Sequence, residues 1–182
     1  PSRPLRVFYL QAEIQYDYLR ERIHRIHIVR DHLEQLERNF VITPQISITL
    51  DDDGIERIAQ AVKERFGEMP PDIIVIDPLR NVFDGGGIGG ENDNDAMMFF
   101  MSRRVETLRR KINPHAGVII AHHTKKILKR QVEEDPFQSF SGAGALRSYY
   151  TSGILLHRPD ESRPERTLLF ELRNGKEIKP KT

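Results

Sequence analysis

Three apolar runs in this chain end on residues that can carry a proton or hold a cation. "VFYLQAE" closes on Glu13, "DIIVID" on Asp77, and "GVIIAHH" on His122 and His123. A carboxylate at a strand end can cap the strand, meeting water or a backbone N–H, or it can hold a metal ion or polarise a water molecule. The residues before Asp77, Ile73 to Ile76, are apolar throughout. An uninterrupted apolar run suits a parallel strand buried on both faces. Ligands of open parallel sheets gather at the carboxyl edge of their strands. If the three strands are parallel neighbours, Glu13, Asp77 and the histidine pair converge there. An acid that polarises water, an acid on magnesium and a polar sensor of phosphate would together make a nucleotide-hydrolysis site. A zinc site shared by His122 and His123 is disfavoured, because neighbours on a strand point to opposite faces.

The elements that must position these residues follow from pattern. "LRVFYLQAE" reads as a strand, and "IQYDYLRERIHRIHIVRDHLEQLE" spaces Tyr18, Leu19, Ile23, Ile26, Leu33 and Leu36 as one helix. His24, His27 and His32 fall on its charged surface. "ISITL" reads as a short strand. "DDDGIERIAQAVKERFG" opens with N-cap aspartates and closes on Gly67, as a helix should. "DIIVIDPL" is a strand, "GGGIGGENDN" a flexible loop that can serve as a lid, and "NDAMMFFMSRRVETLRRKI" a long amphipathic helix. "AGVIIAHHTKK" is a strand running into a basic loop, and "DPFQSFSGAGALRSYYTS" a loop with a short helix. "GILLHRP" and "RTLLFELRNG" form a terminal strand pair around the turn "DESRPE". Alternating strands and helices predict an α/β fold, a mainly parallel sheet with helices on both faces in three layers.

Composition narrows the class. The 182 residues suffice for one domain, taken as residues 1–182, with a sizeable core. Lys plus Arg number 28 and Asp plus Glu 27, which excludes an overall basic nucleic-acid coat but not a local basic groove. There is no cysteine, hence no disulfide and no thiolate metal site, which suits the cytoplasm. No apolar run approaches the length of a membrane-spanning helix, so no membrane is expected as a partner.

The pieces "VFYLQAE", "DIIVIDPL", "GVIIAHHTKK", "SGAGALRSYYTSGILLHR" and "FELRNGK" occur in the order found in RecA-like ATPases. They most resemble the hexameric helicase branch, the RepA-type and DnaB-type proteins. The resemblance implies ATP and Mg²⁺ as cofactors, single-stranded DNA as a partner and assembly into a homo-oligomeric ring. By it Glu13 matches the glutamate that activates the attacking water, and Asp77 the Walker B aspartate that holds magnesium through water. His123 or His122 matches the residue that senses the γ-phosphate. Lys125, Lys126, Lys129 and Arg130 fall in the region that supplies DNA-contacting loops; their alternative is a solvated loop. Arg173 matches the arginine that reaches a neighbouring subunit's nucleotide in the DnaB pattern, and Arg147 the finger of the RepA pattern. The DnaB pattern carries a lysine two residues before its arginine; here that residue is Glu171.

No G-x-x-x-x-G-K-[ST] occurs among the 182 residues. "GGGIGG" has glycines but no Lys-Ser/Thr, and it follows the wrong strand. In RecA-like folds the phosphate loop precedes the strand that matches "LRVFYLQAE". The expectation is therefore a RecA-like domain incomplete at its N-terminus. Its phosphate loop would lie before Pro1, and residues 1–182 alone would bind ATP weakly and hydrolyse none. Two further classes stay open: a non-catalytic RecA-like module that binds DNA or protein, and a metal-dependent nuclease using Glu13, Asp77 and Asp84.

Overall fold

The computed structural model describes residues 3–26, 28–125, 129–140, 142–159 and 162–182. Among these, strands β1 (Val7–Gln11), β2 (Phe40–Ile42), β3 (Ile73–Asp77) and β4 (Gly117–Ile120) form one parallel sheet in the order β2-β1-β3-β4. Strands β5 (Ser152–His157) and β6 (Thr167–Leu172) form a separate antiparallel pair. The fold is α/β and mainly parallel, as the alternation of elements predicts.

Register fixes the faces of the sheet. Phe8 lies opposite Ile74, and Leu10 opposite Ile76. These four alternate residues are buried against α3 (Asp52–Phe66) and the long helical stretch from α5 (Asn94–Phe99) to α6 (Glu106–Ile112). Leu10, Leu50 and Ile76 are fully buried. Each such side chain contributes about 1.5–3 kcal/mol relative to exposure. The opposite face is thinner: Val7, Tyr9 and Val75 are only half-buried, and Ile119 is exposed.

Helix α3 keeps the ends read from its sequence. The Asp51 carboxylate accepts from the Gly54 N–H at 2.8 Å, and Gly67 closes the helix. The stretch Asn94–Ile112 is helical throughout, with a widened π-type segment at Phe100–Val105 where the Ser102 hydroxyl donates back to the Met98 carbonyl.

Two expectations are corrected. The single helix over residues 14–37 is instead α1 (Tyr16–Arg25), a 3-10 turn (Arg30–His32) and α2 (Leu33–Asn39). Of its periodic apolar residues only Leu19 is buried. The β-branched Ile26, Ile28 and Val29 break it, because such side chains lose rotamer freedom in a helix; His27 lies outside the described residues. Next, "ISITL" is not a strand. The strand at that edge of the sheet is β2, only three residues long. Residues 46–50 pack on the core, and the Leu50 N–H donates to the Val82 carbonyl at 2.8 Å.

The glycine loop is braced at its start. The Gly86 N–H donates to Asp84 at 2.9 Å, and Arg104 Nε donates to the same carboxylate at 2.7 Å. Gly86 has φ +61°, and a Cβ there would stand 2.5 Å from the Phe99 ring. Gly85 and Gly86 leave no room for a Cβ, whereas Gly87 and Gly90 face open space.

Candidate active site

The parallel ladder carries the strand ends to one edge. Gln11 lies opposite Asp77 and Ile76 opposite Ile120. The ladder continues beyond the strands: the Ala12 N–H donates to the Asp77 carbonyl and the Ala121 N–H to the Ile76 carbonyl, both at 2.9 Å. Glu13 follows Gln11 by two residues, and His122 and His123 follow Ile120 by two and three. All four sequence-predicted strand-end residues therefore share the carboxyl edge. Glu13 Oε1 and His123 Nε2 stand 3.9 Å apart, too far for a hydrogen bond, with side chains 53% and 54% exposed.

Sequence reasoning missed two residues behind these acids. The Tyr9 hydroxyl donates to Asp77 Oδ2. Burial, reinforced by that hydrogen bond, raises the Tyr9 phenol above its ordinary value, so it stays a donor. Gln11 is 1% exposed, an unusual place for an amide. Its Oε1 accepts from the Glu13 N–H at 2.6 Å and from the Ile14 N–H, and its Nε2 donates to the Ile14 carbonyl at 2.9 Å. Period-two alternation places Tyr9 and Gln11 on one face, but no local signal announces their targets.

Beyond β4, the chain is fastened to a second segment. Thr124 bridges Phe140, and the Lys125 N–H donates to the Ser139 carbonyl at 2.7 Å. The exposed Lys125 side chain thus sits close after the histidines. Arg130, on α7 (Lys129–Glu134), pairs with Glu134 at 2.8 Å in a solvent-exposed i,i+4 contact. Such pairs contribute little. Lys126 lies outside the described residues, and of Lys129 only the backbone is described.

The two candidate fingers differ in surroundings. Arg147, on α8 (Ala143–Tyr149), donates to Asp135 at 2.6 Å and makes a forked contact with Glu171. Tyr150 donates to the same Glu171. The Arg147 guanidinium holds the Glu171 carboxyl below its usual range, and Glu171 and then Asp135 push Arg147 upward. Arg173 is exposed; one guanidinium nitrogen donates to the Arg147 carbonyl at 2.8 Å. The "GAGALR" stretch packs closely: at Gly142, with φ +62°, a Cβ would meet Met97 at 2.9 Å.

Asp77 suits a hydrated magnesium ion, which keeps several waters and is held by one or two carboxylates plus substrate phosphates. Tyr9 occupies one of its oxygens, and no other partner of the carboxylate occurs among the described residues. A nuclease-type metal cluster is not formed: among the described residues no three His, Cys, Asp or Glu stand close enough to hold an ion. Asp84 instead braces the glycine loop with Arg104. The glycine loop is also not a phosphate cradle, since the Gly86 N–H is already given to Asp84.

Residues 1–127 match the family model described as an AAA domain. The chain belongs to that family. No curated protein matches this AAA domain. Among solved structures it is similar to a KaiC-like protein from the hyperthermophilic archaeon Pyrococcus horikoshii, with a TM-score of 0.58 and 14% sequence identity. The match covers 97% of this chain and 69% of that one, and at that identity it speaks for the fold alone. The fold is RecA-like, and the family is one of ATPase-type domains. Among the described residues no helix is long and apolar enough to cross a membrane.

Proposed function

We propose that this AAA domain is the hydrolytic core of an ATP-driven, helicase-type motor acting on single-stranded DNA. The observation that carries the reading is the shared register of β1, β3 and β4, which brings Glu13, Asp77 and His123 to one edge. Asp77 holds hydrated magnesium through water. When bound, the ion neutralises charge on the phosphates. Glu13 takes the proton of the water whose oxygen bonds to the γ-phosphorus as the β–γ bridge breaks. His123 responds to the γ-phosphate. It passes that state through Thr124 to Lys125 and the following basic residues, which contact DNA phosphates.

Such a site needs a phosphate cradle, and no cradle motif occurs among residues 1–182. Residues 1–182 form one RecA-like domain of this motor. The motor works as a ring, and the exposed Arg173 reaches the neighbour's nucleotide.

The test uses the natural polypeptide. Asp77→Asn is expected to weaken magnesium-nucleotide binding and hydrolysis together. Glu13→Gln is expected to keep binding and lower the hydrolysis rate by roughly 10²–10⁴-fold. Equal loss of affinity in both variants would refute the assignment of roles. A natural polypeptide that binds DNA without any hydrolysis would favour a non-catalytic module instead.

A further inference from the structure

We propose that alternate side chains of β1, Tyr9 and Gln11, are positioning residues that set the two acids separately. This rests on the reading of Asp77 and Glu13 as magnesium and water ligands. Strand alternation puts Tyr9 and Gln11 on the face opposite the core residues Phe8 and Leu10. The two reach different targets. Tyr9 spans to β3 and donates its hydroxyl to Asp77 Oδ2. One carboxylate oxygen is thereby fixed by a neutral donor, which orients the carboxylate without cancelling its charge. The other is left to the water shell of an ion.

Gln11 acts on its own strand's exit. The turn from β1 into α1 carries Glu13, whose side chain is half-exposed and has no hydrogen bond to hold it among the described residues. Its position depends on the backbone beneath it. Gln11 fixes that backbone at three points, accepting from the Glu13 and Ile14 N–H groups and donating to the Ile14 carbonyl. Gln11 is in turn clamped by Thr43: its N–H donates to Thr43 Oγ1 at 2.8 Å, and the Thr43 hydroxyl donates to the Gln11 carbonyl at 2.9 Å. Residue 43 follows β2, so the neighbouring strand's exit secures the turn under Glu13. A general base displaced by an ångström loses much of its effect.

The division of labour gives a split that a merely structural role would not produce. The measurements use the natural polypeptide. Tyr9→Phe, which removes only the hydroxyl, is expected to weaken equilibrium binding of a fluorescent magnesium–ATP analogue roughly tenfold, the worth of a hydrogen bond to a charged group. Because Asp77 serves binding and hydrolysis alike, its kcat should fall too, but by less than that of Gln11→Met. Gln11→Met, which keeps length and shape, is expected to bind the analogue as wild type does and to lose roughly 10–100-fold in kcat. Independently of activity, hydrogen exchange at the Glu13 and Ile14 amides should be slow in wild type. It should accelerate at least tenfold in Gln11→Met and stay near wild type in Tyr9→Phe. Gln11→Glu keeps both acceptor bonds but sets an oxygen against the Ile14 carbonyl, so it is expected to recover only part of the protection and of kcat. It also covers the case in which the methionine variant fails to fold.

Unchanged exchange at Glu13 and Ile14 in a folded Gln11→Met would overturn the positioning claim, as would equal effects of both variants on binding and kcat. If Glu13→Gln itself leaves hydrolysis intact, the underlying reading fails instead, and the exchange data still report whether Gln11 holds the turn.

Discussion

The carboxyl edge of the parallel sheet and the cluster beneath the β5–β6 pair treat charge in opposite ways. At the edge, Asp77 and Glu13 are held by neutral groups, a phenol on the one and an amide beneath the other. Their charges are oriented but not cancelled. In the cluster, Arg147 meets Asp135 and Glu171, and Tyr150 completes the network. There each charge is spent on another. A catalytic ion or phosphate needs the first arrangement, because a cation already neutralised by two carboxylates has little left to offer a transferring phosphoryl group. The comparison separates the two finger candidates. Arg147 ties the segment containing Asp135 to β6, while Arg173 is exposed and, among the described residues, donates to a backbone carbonyl.

The largest expected effect tests that separation. Arg173→Ala in the natural polypeptide should lower hydrolysis by roughly 10³-fold or more while leaving stability within about 0.5 kcal/mol. Arg147→Met should do the reverse in order of primary effect. It leaves Glu171 and Asp135 without their cation and should cost about 1 kcal/mol in urea unfolding, less than breaking a fully buried pair because these groups are partly exposed. A folded, stable Arg147→Met that has lost hydrolysis would reverse the assignment.

A second paired charge sharpens the contrast through pH. Asp72, just before β3, accepts from both Arg3 nitrogens at 2.7 and 2.8 Å and from the Arg6 N–H at 2.8 Å. The Arg3 guanidinium, aided by that N–H, holds the Asp72 carboxyl at about 2, against 3.8 ordinarily. The unfolded chain therefore binds the proton more tightly. The stabilisation is complete above the ordinary value and is lost as pH falls from about 4 to about 2. Asp72→Asn should flatten the fall of the urea midpoint over that interval, and an unchanged slope would show the pair to be inert.

Much of the edge was legible in the sequence because strand ends announce themselves locally. "IIVID" and "VFYLQAE" each show an apolar run and its polar stop within a few residues. Parallel pairing does the rest, and the caps of α3 were readable for the same reason. What escaped notice was non-local or too short for a pattern. A three-residue strand such as "FVI" carries no measurable period, whereas "ISITL" alternates well yet packs without a ladder. Arg147 and Glu171 are 24 residues apart, and nothing in either neighbourhood foretells that they meet. Glycine permits both mobility and close contact, and at Gly86 it is the Phe99 ring, not the local sequence, that calls for contact.

A smaller effect probes the edge's outward link. If Lys125 contacts a DNA phosphate, Lys125→Ala should lower the slope of log affinity against log salt by about 0.7, equally for all base sequences. An unchanged slope would leave Lys125 a solvated residue.

The most direct test asks which edge of the sheet receives the nucleotide. His123 lies at the carboxyl edge, whereas His115 lies before β4 at the opposite one. Manganese can replace magnesium and broadens nearby nuclear resonances. On titrating manganese–ATP into the natural polypeptide, the His123 ring signals should broaden first, and Asp77→Asn should abolish that broadening. Broadening of His115 ahead of His123, or broadening of His123 that Asp77→Asn leaves intact, would contradict the placement of the site.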